Sequence, residues 1–484
     1  MNRAKPLKCC VPKLMHQQLL NRLKAEPPSF EYEIENFYWL INQMIYFHSL
    51  KRSSYLKQDG FVSISSKLLD YHIPETYAMH LRYLEEHRMI HCDHKFSSIK
   101  NIAKGYKISS EFVSEVNVKE DYRWILPSAK IWTKSKDYRE SKKSHKAILA
   151  HHKQLKKCFN ETKFDFQGAR EYVIKMTIKG KNQETKRLSY LNSIDRFEDK
   201  RLRNFSIGSN GRLNTNFTNM KKELRKFIVG DKVMIDLSNS QPYLLGQVFK
   251  LFTSSSNCSH STINYNKEHP VFIGIHEQFK TPPIVISDSE LARYISQSID
   301  GTLYEQINNS VNLGWTRKRI KKKFLSYLYC DWSDIKYYKE IDLVFRNEYP
   351  TLWCILWHLK SDRYNQLSIA LQRLEADIFI ETIARLIVEQ GMYCITVHDS
   401  VIIDRKDHKK ILQLMQETFK SKFNEEPNFK STYLDDSIYE FDYTITPKFD
   451  SIPFHFSVDY SLDFGGNINC VDTIPIRCKL ALAS

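Results

Sequence analysis

Asp236 and Asp399 stand in the same local setting. Asp236 closes the apolar run Val233-Met234-Ile235, and Asp399 follows Ile395-Thr396-Val397 with another apolar run, Val401 to Ile403, just after it. A carboxylate at the end of a strand-like run is costly to bury alone, so such a position calls for a cation or a donor. Two of them on adjacent strands would hold two divalent ions about 3.5–4 Å apart, which stabilises the attacking and leaving oxygens of an in-line displacement. Aspartate is also a common turn residue, and two unrelated turn aspartates would look the same at this level.

A second set of residues lies on WTRKRIKKKFLSYLYC, which reads as a basic helix from Trp315 to Tyr329. Arg317, Lys321, Leu325 and Tyr329 recur at four-residue spacing and so share one face. Lys318, Arg319, Lys322 and Lys323 carry positive charge around most of the remaining circumference. A solvated basic face or an import-like patch has the same composition.

Other elements must bring these residues together. VMIDLSNSQPYLLGQVF opens as a strand, Val233 to Ile235, and predicts a helix after Pro242. SIALQRLEADIFIETIARLIVEQG predicts one long amphipathic helix stopped by Gly391. MYCITV and VII read as strands on either side of His398-Asp399-Ser400, and KDHKKILQLMQETFKSKF as a closing helix. Upstream, residues 1–30 read as a loose, polar, Pro-broken leader. Residues 31–115 give the order helix, strand, helix, helix, strand, strand, which resembles a winged-helix module, with Lys95 and Lys100 placed in its wing to touch phosphates. Residues 116–205 are rich in Lys and Arg and permissive for helix, either a basic arm gripping a duplex or a solvated linker. Residues 436–484 alternate Tyr and Phe with polar residues and carry strand propensity without a motif.

The 484 residues suffice for two to four domains. A formal net charge of +16 points to a polyanionic partner, most often nucleic acid, although an ordinary basic protein has the same balance. The 10 cysteines contain no CxxC pair and no ladder of spacings, which suits a reducing compartment and disfavours a disulfide scaffold or zinc module. No run of eighteen apolar residues and no signal-like apolar core is present, so a cytoplasmic protein without a membrane partner is expected.

Five blocks in order carry a resemblance to a known family. SNGRLNTNFTNMKKELRKF resembles the TGRLSS…PNLQN block of family A DNA polymerases, the bacterial DNA polymerase I type. IDLSNSQPYLL resembles their motif A, DYSQIELR, and WTRKRIKKKFLSYLYC their motif B helix. LQRLEADIF resembles their QGTAADI helix and VHDSVII their motif C, VHDE. The likeness covers about Asn210 to Asn428, and the same palm is shared by phage-type single-subunit RNA polymerases. It implies an α+β right-hand fold, with palm and fingers and an antiparallel palm sheet over 206–435 and a helical thumb-like segment over 116–205; the winged-helix-like unit over 31–115 and a β-rich extension over 436–484 rest on their own residue patterns.

The resemblance also implies roles. Asp236 and Asp399 match the two metal-binding aspartates, with the Leu237 carbonyl beside them; the ions would be two Mg²⁺, with Mn²⁺ as the alternative. Arg317 and Lys321 would hold the triphosphate, with Leu325 and Tyr329 on the same face near the forming pair. Arg212, Asn219 and Gln372 match residues that touch the duplex minor groove near the primer end, where any correct pair presents similar acceptors, and His398 would lie close to the primer terminus. Gln241, five residues after Asp236, stands where DNA enzymes carry Glu and RNA enzymes Gly; its bulk would exclude a ribose 2′ hydroxyl.

Leu325, Cys330 and Ser400 depart from the DNA-enzyme pattern, and Leu325 and Ser400 lean towards the RNA-synthesising branch. The expected activity is a template-directed DNA polymerase without proofreading, since no DxE-type exonuclease constellation precedes the palm. Its partners would be a DNA primer-template (or an RNA template), nucleoside triphosphates, and replication or mobile-element proteins; a phage, plasmid or mobile-element origin suits the abundance of Lys, Asn, Ile, Tyr and Phe. The alternatives are a single-subunit RNA polymerase or primase, and a nucleic-acid-binding replication protein whose palm is inactive.

Overall fold

Residues 9–49, 57, 60–97, 103–112, 122–125, 148–178, 183–252, 286–312, 314–361 and 363–434 are described by a computed structural model. Expectations for Lys100, for the basic stretch 126–147 and for residues 436–484 lie outside the described residues.

The leader reading does not hold for residues 9–25. They form β1 (Cys9–Pro12) and α1 (Lys13–Ala25), and β1 pairs antiparallel with a later strand, Tyr122–Ile125. Val11, Met15, Leu19 and Leu23 are buried. They recur every fourth residue, so a mostly polar stretch presents one apolar stripe.

The next elements follow the order read from the sequence: α2 (Ile34–Ser49), β2 (Val62–Ser63), α3 (Ser66–His72), α4 (Tyr77–Glu86), β3 (Ile90–Cys92) and β4 (Gly105–Ile108). The three strands pair antiparallel in the order β2-β4-β3. Phe37, Leu40, Ile41, Ile45, Leu84 and Ile90 form the core here, together with the apolar face of α1. Lys95 lies in the loop after β3, beside the exposed Phe96.

After β5 (Tyr122–Ile125) come three helices, α5 (Ala150–Glu161), α6 (Phe166–Lys175) and α7 (Gln183–Glu198). Phe159, Phe164, Phe197 and Phe217 pack ring against ring among them, with edge-on contacts at 5.5 and 5.8 Å. Such contacts add to the stability that burial alone gives. A short hairpin follows, β6 (Phe205–Ile207) and β7 (Leu213–Thr215), then the single turn α8 (Asn216–Asn219).

The central sheet starts with β8 (Lys232–Leu237) and continues in α9 (Ser240–Phe249). Pro242 sits inside the first turn of α9, where its missing N–H costs nothing, so the helix starts at Ser240 instead of after Pro242. Helices α10 (Asp288–Asp300), α11 (Leu303–Val311), α12 (Arg317–Tyr329), α13 (Lys339–Glu348), α14 (Pro350–His358) and α15 (Gln366–Ala376) come next. The chain then takes a π-helical path over Asp377–Ala384 before α16 (Arg385–Glu389). Thr382 Oγ1 donates to the Asp377 carbonyl five residues back at 3.0 Å, which matches the wider turn. The sequence expectation was one unbroken α-helix.

β9 (Ile395–Val397) and β10 (Ser400–Asp404) form a hairpin, α17 (His408–Phe423) follows, and β11 (Phe429–Tyr433) completes an antiparallel sheet in the order β11-β8-β10-β9. The sheet divides two cores by strand alternation. Val233, Ile235, Leu237, Val401 and Ile403 face the helices from α9 onward. Met234, Ile395, Val397 and Ile402 face the aromatic cluster of α5–α7. The architecture is α+β, as the sequence led one to expect.

Leu19 is wholly buried in the N-terminal core. Leu19→Ala is expected to destabilise that core by about 2–4 kcal/mol, read as a lowered denaturation midpoint; an unchanged midpoint would suit a detached leader instead.

Candidate active site

Antiparallel pairing of β8 with β10 sets Asp236 opposite Ser400, one residue from Asp399. His398 and Asp399 make the two-residue turn of the β9–β10 hairpin, and His398 takes φ +56. The Leu237 N–H donates to the Asp399 carbonyl at 3.0 Å, which ties the end of β8 to that turn. Asp236 shares the face of Met234 at the end of its strand. The sheet therefore brings the two aspartates together.

Their mutual charge is visible in Asp236. Burial, helped by the charge of Asp399, pushes its carboxyl up to about 6 against the opposing pull of Lys222, Lys321 and Arg225. Ser240, at the start of α9, donates to Asp399 Oδ2 at 2.5 Å and fixes that side chain. Ser240 was not among the residues singled out in the sequence.

A second buried carboxyl lies behind the pair. Glu375 on α15 accepts from Arg212 Nη2 at 2.6 Å and from Gln241 Nε2 at 2.8 Å, both at Oε2. Among the described residues, its Oε1 and the Nε of Arg212 have no hydrogen-bond partner. Burial, opposed by Arg212 and reinforced by the Asp399 charge, holds Glu375 up at about 7. The Tyr329 hydroxyl donates to Gln241 Oε1, and burial pushes that phenol far up. Sequence reasoning missed Glu375. The available signal was a carboxylate on the buried stripe Leu371, Leu374 and Ile378 of an amphipathic helix.

Arg212 reaches this position because of the turn before it. Gly211 takes φ +81, and a Cβ there would lie 3.1 Å from the Ala376 Cβ, so the β6–β7 turn rides directly on the end of α15. The same approach lets Asn210 Nδ2 donate to Gln372 Oε1 at 2.6 Å.

The remaining expected residues are spread more widely. On α12, Thr316 caps the helix by accepting from the Arg319 N–H. Arg317 is exposed at its first turn, paired with Glu305 and donating to the Gly301 carbonyl at 3.0 Å. Lys321 is exposed one turn on, 6.0 Å from the Tyr304 ring, and its charge reaches Asp236. Leu325 packs at the edge of the core and Tyr329 is part-buried beside Gln241. The helix face thus runs from exposed cations to a buried phenol. Asn219, at the end of α8, donates to the carbonyl of Thr215, the last residue of β7, at 3.3 Å. Ser400 is buried and donates to the Val397 carbonyl at 2.8 Å. Its hydroxyl closes the hairpin, on the face of the sheet that Asp236 shares.

Among the described residues, three potential metal donors converge at Glu85, Cys92 and His94, and at His151, His152 and Glu381. At the second group, His151 and His152 reach the two Glu381 oxygens at 2.9 and 3.0 Å, joining α5 to the π-helical turn. The Leu149 N–H donates to His152 Nδ1, so the proton of that ring is on Nε2 and directed at Glu381. A metal would need that nitrogen bare. Asp236 and Asp399 offer oxygen donors only, which suits hard divalent cations.

No protein-family model matches the chain, and no curated protein is significantly similar to it. Among solved structures, the POL domain of Pol1 from M. smegmatis, in complex with DNA primer-template and dNTP, aligns at 12% identity and a TM-score of 0.24. The alignment spans 51% of this chain and 51% of that one, and a likeness at that score carries no weight for fold or activity. No helix among the described residues is long and apolar enough to cross a membrane.

Two outcomes follow from the geometry. A carboxyl whose folded value is raised stabilises the fold below the ordinary carboxylate range and loses that contribution as pH rises through about 6. Without divalent cations, Asp236→Asn is expected to melt on the order of one or two degrees above the unsubstituted chain at alkaline pH, with the gap closing under acid conditions; a gap independent of pH would contradict the charge pairing. Gly211→Ala forces a left-handed backbone on a side-chain-bearing residue, at about 1–2 kcal/mol, visible as a lowered denaturation midpoint.

Proposed function

We propose that this chain is a template-directed DNA polymerase that extends a primer 3′ hydroxyl with deoxynucleoside triphosphates, using two Mg²⁺ ions or Mn²⁺ in their place. The observation that carries the reading is the cross-strand placement of Asp236 beside Asp399, with Lys321, Lys222 and Arg225 acting on the same carboxylate. A buried carboxylate raised by burial and by the neighbouring Asp399 charge marks a place short of positive charge, and cations cure that shortage. The donor set fits: Asp236 and Asp399 hold the ions, with the Leu237 carbonyl as a further oxygen. When bound, the cations supply charge neutralisation at the phosphates and acidify a coordinated hydroxyl.

The chain's own residues do the rest. Arg317 and Lys321 receive the triphosphate and offset charge on the departing pyrophosphate. Tyr329 and Leu325 back the forming base pair. Gln241 crowds the ribose 2′ carbon and favours deoxynucleotides. Arg212, Gln372 and Asn219 meet the minor groove, where the acceptors of all correct pairs are alike, and His398 at the hairpin tip lies next to the primer terminus. In this reading residues 206–435 are palm and fingers, 116–205 a thumb-like arm on the duplex backbone, and 31–115 a winged-helix-like unit that adds nucleic-acid contacts through Lys95.

Primer extension tests this. The purified chain is expected to extend a primed DNA template with dNTPs only when Mg²⁺ or Mn²⁺ is present, and Asp399→Ala to abolish extension while duplex binding by gel shift survives. Cation-dependent extension with NTPs alone, started without primer, would make it an RNA polymerase or primase. Duplex binding with no incorporation would make it a binding protein. Gln241→Gly is expected to raise NTP use relative to dNTP use.

A further inference from the structure

Four side chains from four separate elements form one chain of hydrogen bonds, two of which end at a single carboxylate. Tyr329 on α12 donates to Gln241 on α9, and the carbonyl oxygen of Gln241 is occupied by that bond. Its amide nitrogen must then point the other way, and it donates to Glu375 on α15 at 2.8 Å. Arg212, from the β6–β7 turn, donates to the same Glu375 oxygen at 2.6 Å. The Glu375 side chain is 2% exposed. It sits where solvent cannot replace a lost partner, so each bond it accepts is held firmly.

From this hub we infer that Glu375 is a positioning residue that fixes the sugar-discriminating side chain Gln241 and the primer-side Arg212 in one geometry, so that nucleotide sugar choice and primer grip depend on a single buried carboxylate. The inference rests on the polymerase reading above. Glu375 touches neither substrate directly; it acts through the two residues it holds.

The chemistry of the pair explains its composition. Gln241 is an amide and Glu375 an acid, so the contact has one donor, one acceptor and one negative charge, which Arg212 offsets. Two carboxylates there would repel in a water-poor place, and two amides would leave Arg212 without a charged partner. A Gln241 tied at both ends of its amide cannot turn aside for a larger sugar. Freed at one end, it regains rotamers and the steric block weakens. Among the described residues, Glu375 Oε1 and Arg212 Nε take no hydrogen bond, so the hold of Glu375 on Arg212 rests on the single Nη2 bond.

The experiment is steady-state incorporation of dATP and of ATP on one primed DNA template with Mg²⁺, together with the KM for primer-template. Glu375→Ala is expected to lower the dATP-over-ATP preference and raise the primer-template KM, each about tenfold, the size of one lost charged hydrogen bond. Glu375→Gln keeps an acceptor and is expected to retain most of the preference. Gln241→Glu sets two acids together and is expected to lose activity. Combining it with Glu375→Gln moves the charge across the pair and is expected to restore both incorporation and preference. If Glu375→Ala folds and leaves preference and primer KM unchanged, this inference is overturned and the polymerase reading stands. If Glu375→Ala does not fold, a swapped pair that regains stability without regaining sugar preference overturns it equally. An unsubstituted chain that incorporates neither nucleotide removes the reading and this inference together.

Discussion

Two carboxylates held side by side, one on β8 and one in the β9–β10 turn, are the constraint around which the rest is arranged. The register of β8 and β10 leaves Asp236 and Asp399 no room to avoid each other, because a shift of one residue would turn the apolar side chains of both strands to the wrong cores. The hydrophobic packing on both faces of the sheet therefore pays the electrostatic cost at its end. Several groups near that end reduce the cost: Ser240 donates to one carboxylate, and lysines and an arginine from two other segments act on the other. The basic excess of the chain is thus not uniformly spread decoration, since part of it is addressed to this one spot.

The strands and the helix that carry the site were legible in the sequence. Short apolar runs ending at Asp236 and flanking Asp399 could only be strands, and four-residue spacing marked α12 to within two residues of its start. Other features were not legible, for physical reasons. The apolar positions of β1 and α1 are thinly set in polar sequence, and only the partner core makes them a stripe. The π-helical turn uses the same isoleucines and phenylalanine that an ordinary helix would, so the pattern gives no sign of the extra residue. Glu375 was hidden because a single acid on an otherwise apolar helix face looks like any helix carboxylate until the fold shows that this face is buried.

The local meaning of a departure from a familiar pattern also depends on the fold. Ser400 looked like a vote for RNA synthesis, yet its hydroxyl is spent inside the hairpin. Gln241 looked like an isolated bulky residue, yet it is one member of a relay from Tyr329 to Arg212. Side chains at a site cannot be weighed singly when their hydrogen-bonding capacity is shared, and amides and acids in such relays change together or not at all.

The π-helical turn separates Glu375 from the strand pair by one residue more than an α-helix of the same span would use. Each residue of a helix turns the chain by about 100°. Losing one residue between Asp377 and Ala384 would therefore leave a perfectly good helix and re-aim everything after it, the hairpin included. In chains that descend from a common ancestor with this one, the length of this segment should be far less free to vary than its composition, and a reading-frame-preserving deletion of one codon here should do more harm than most substitutions.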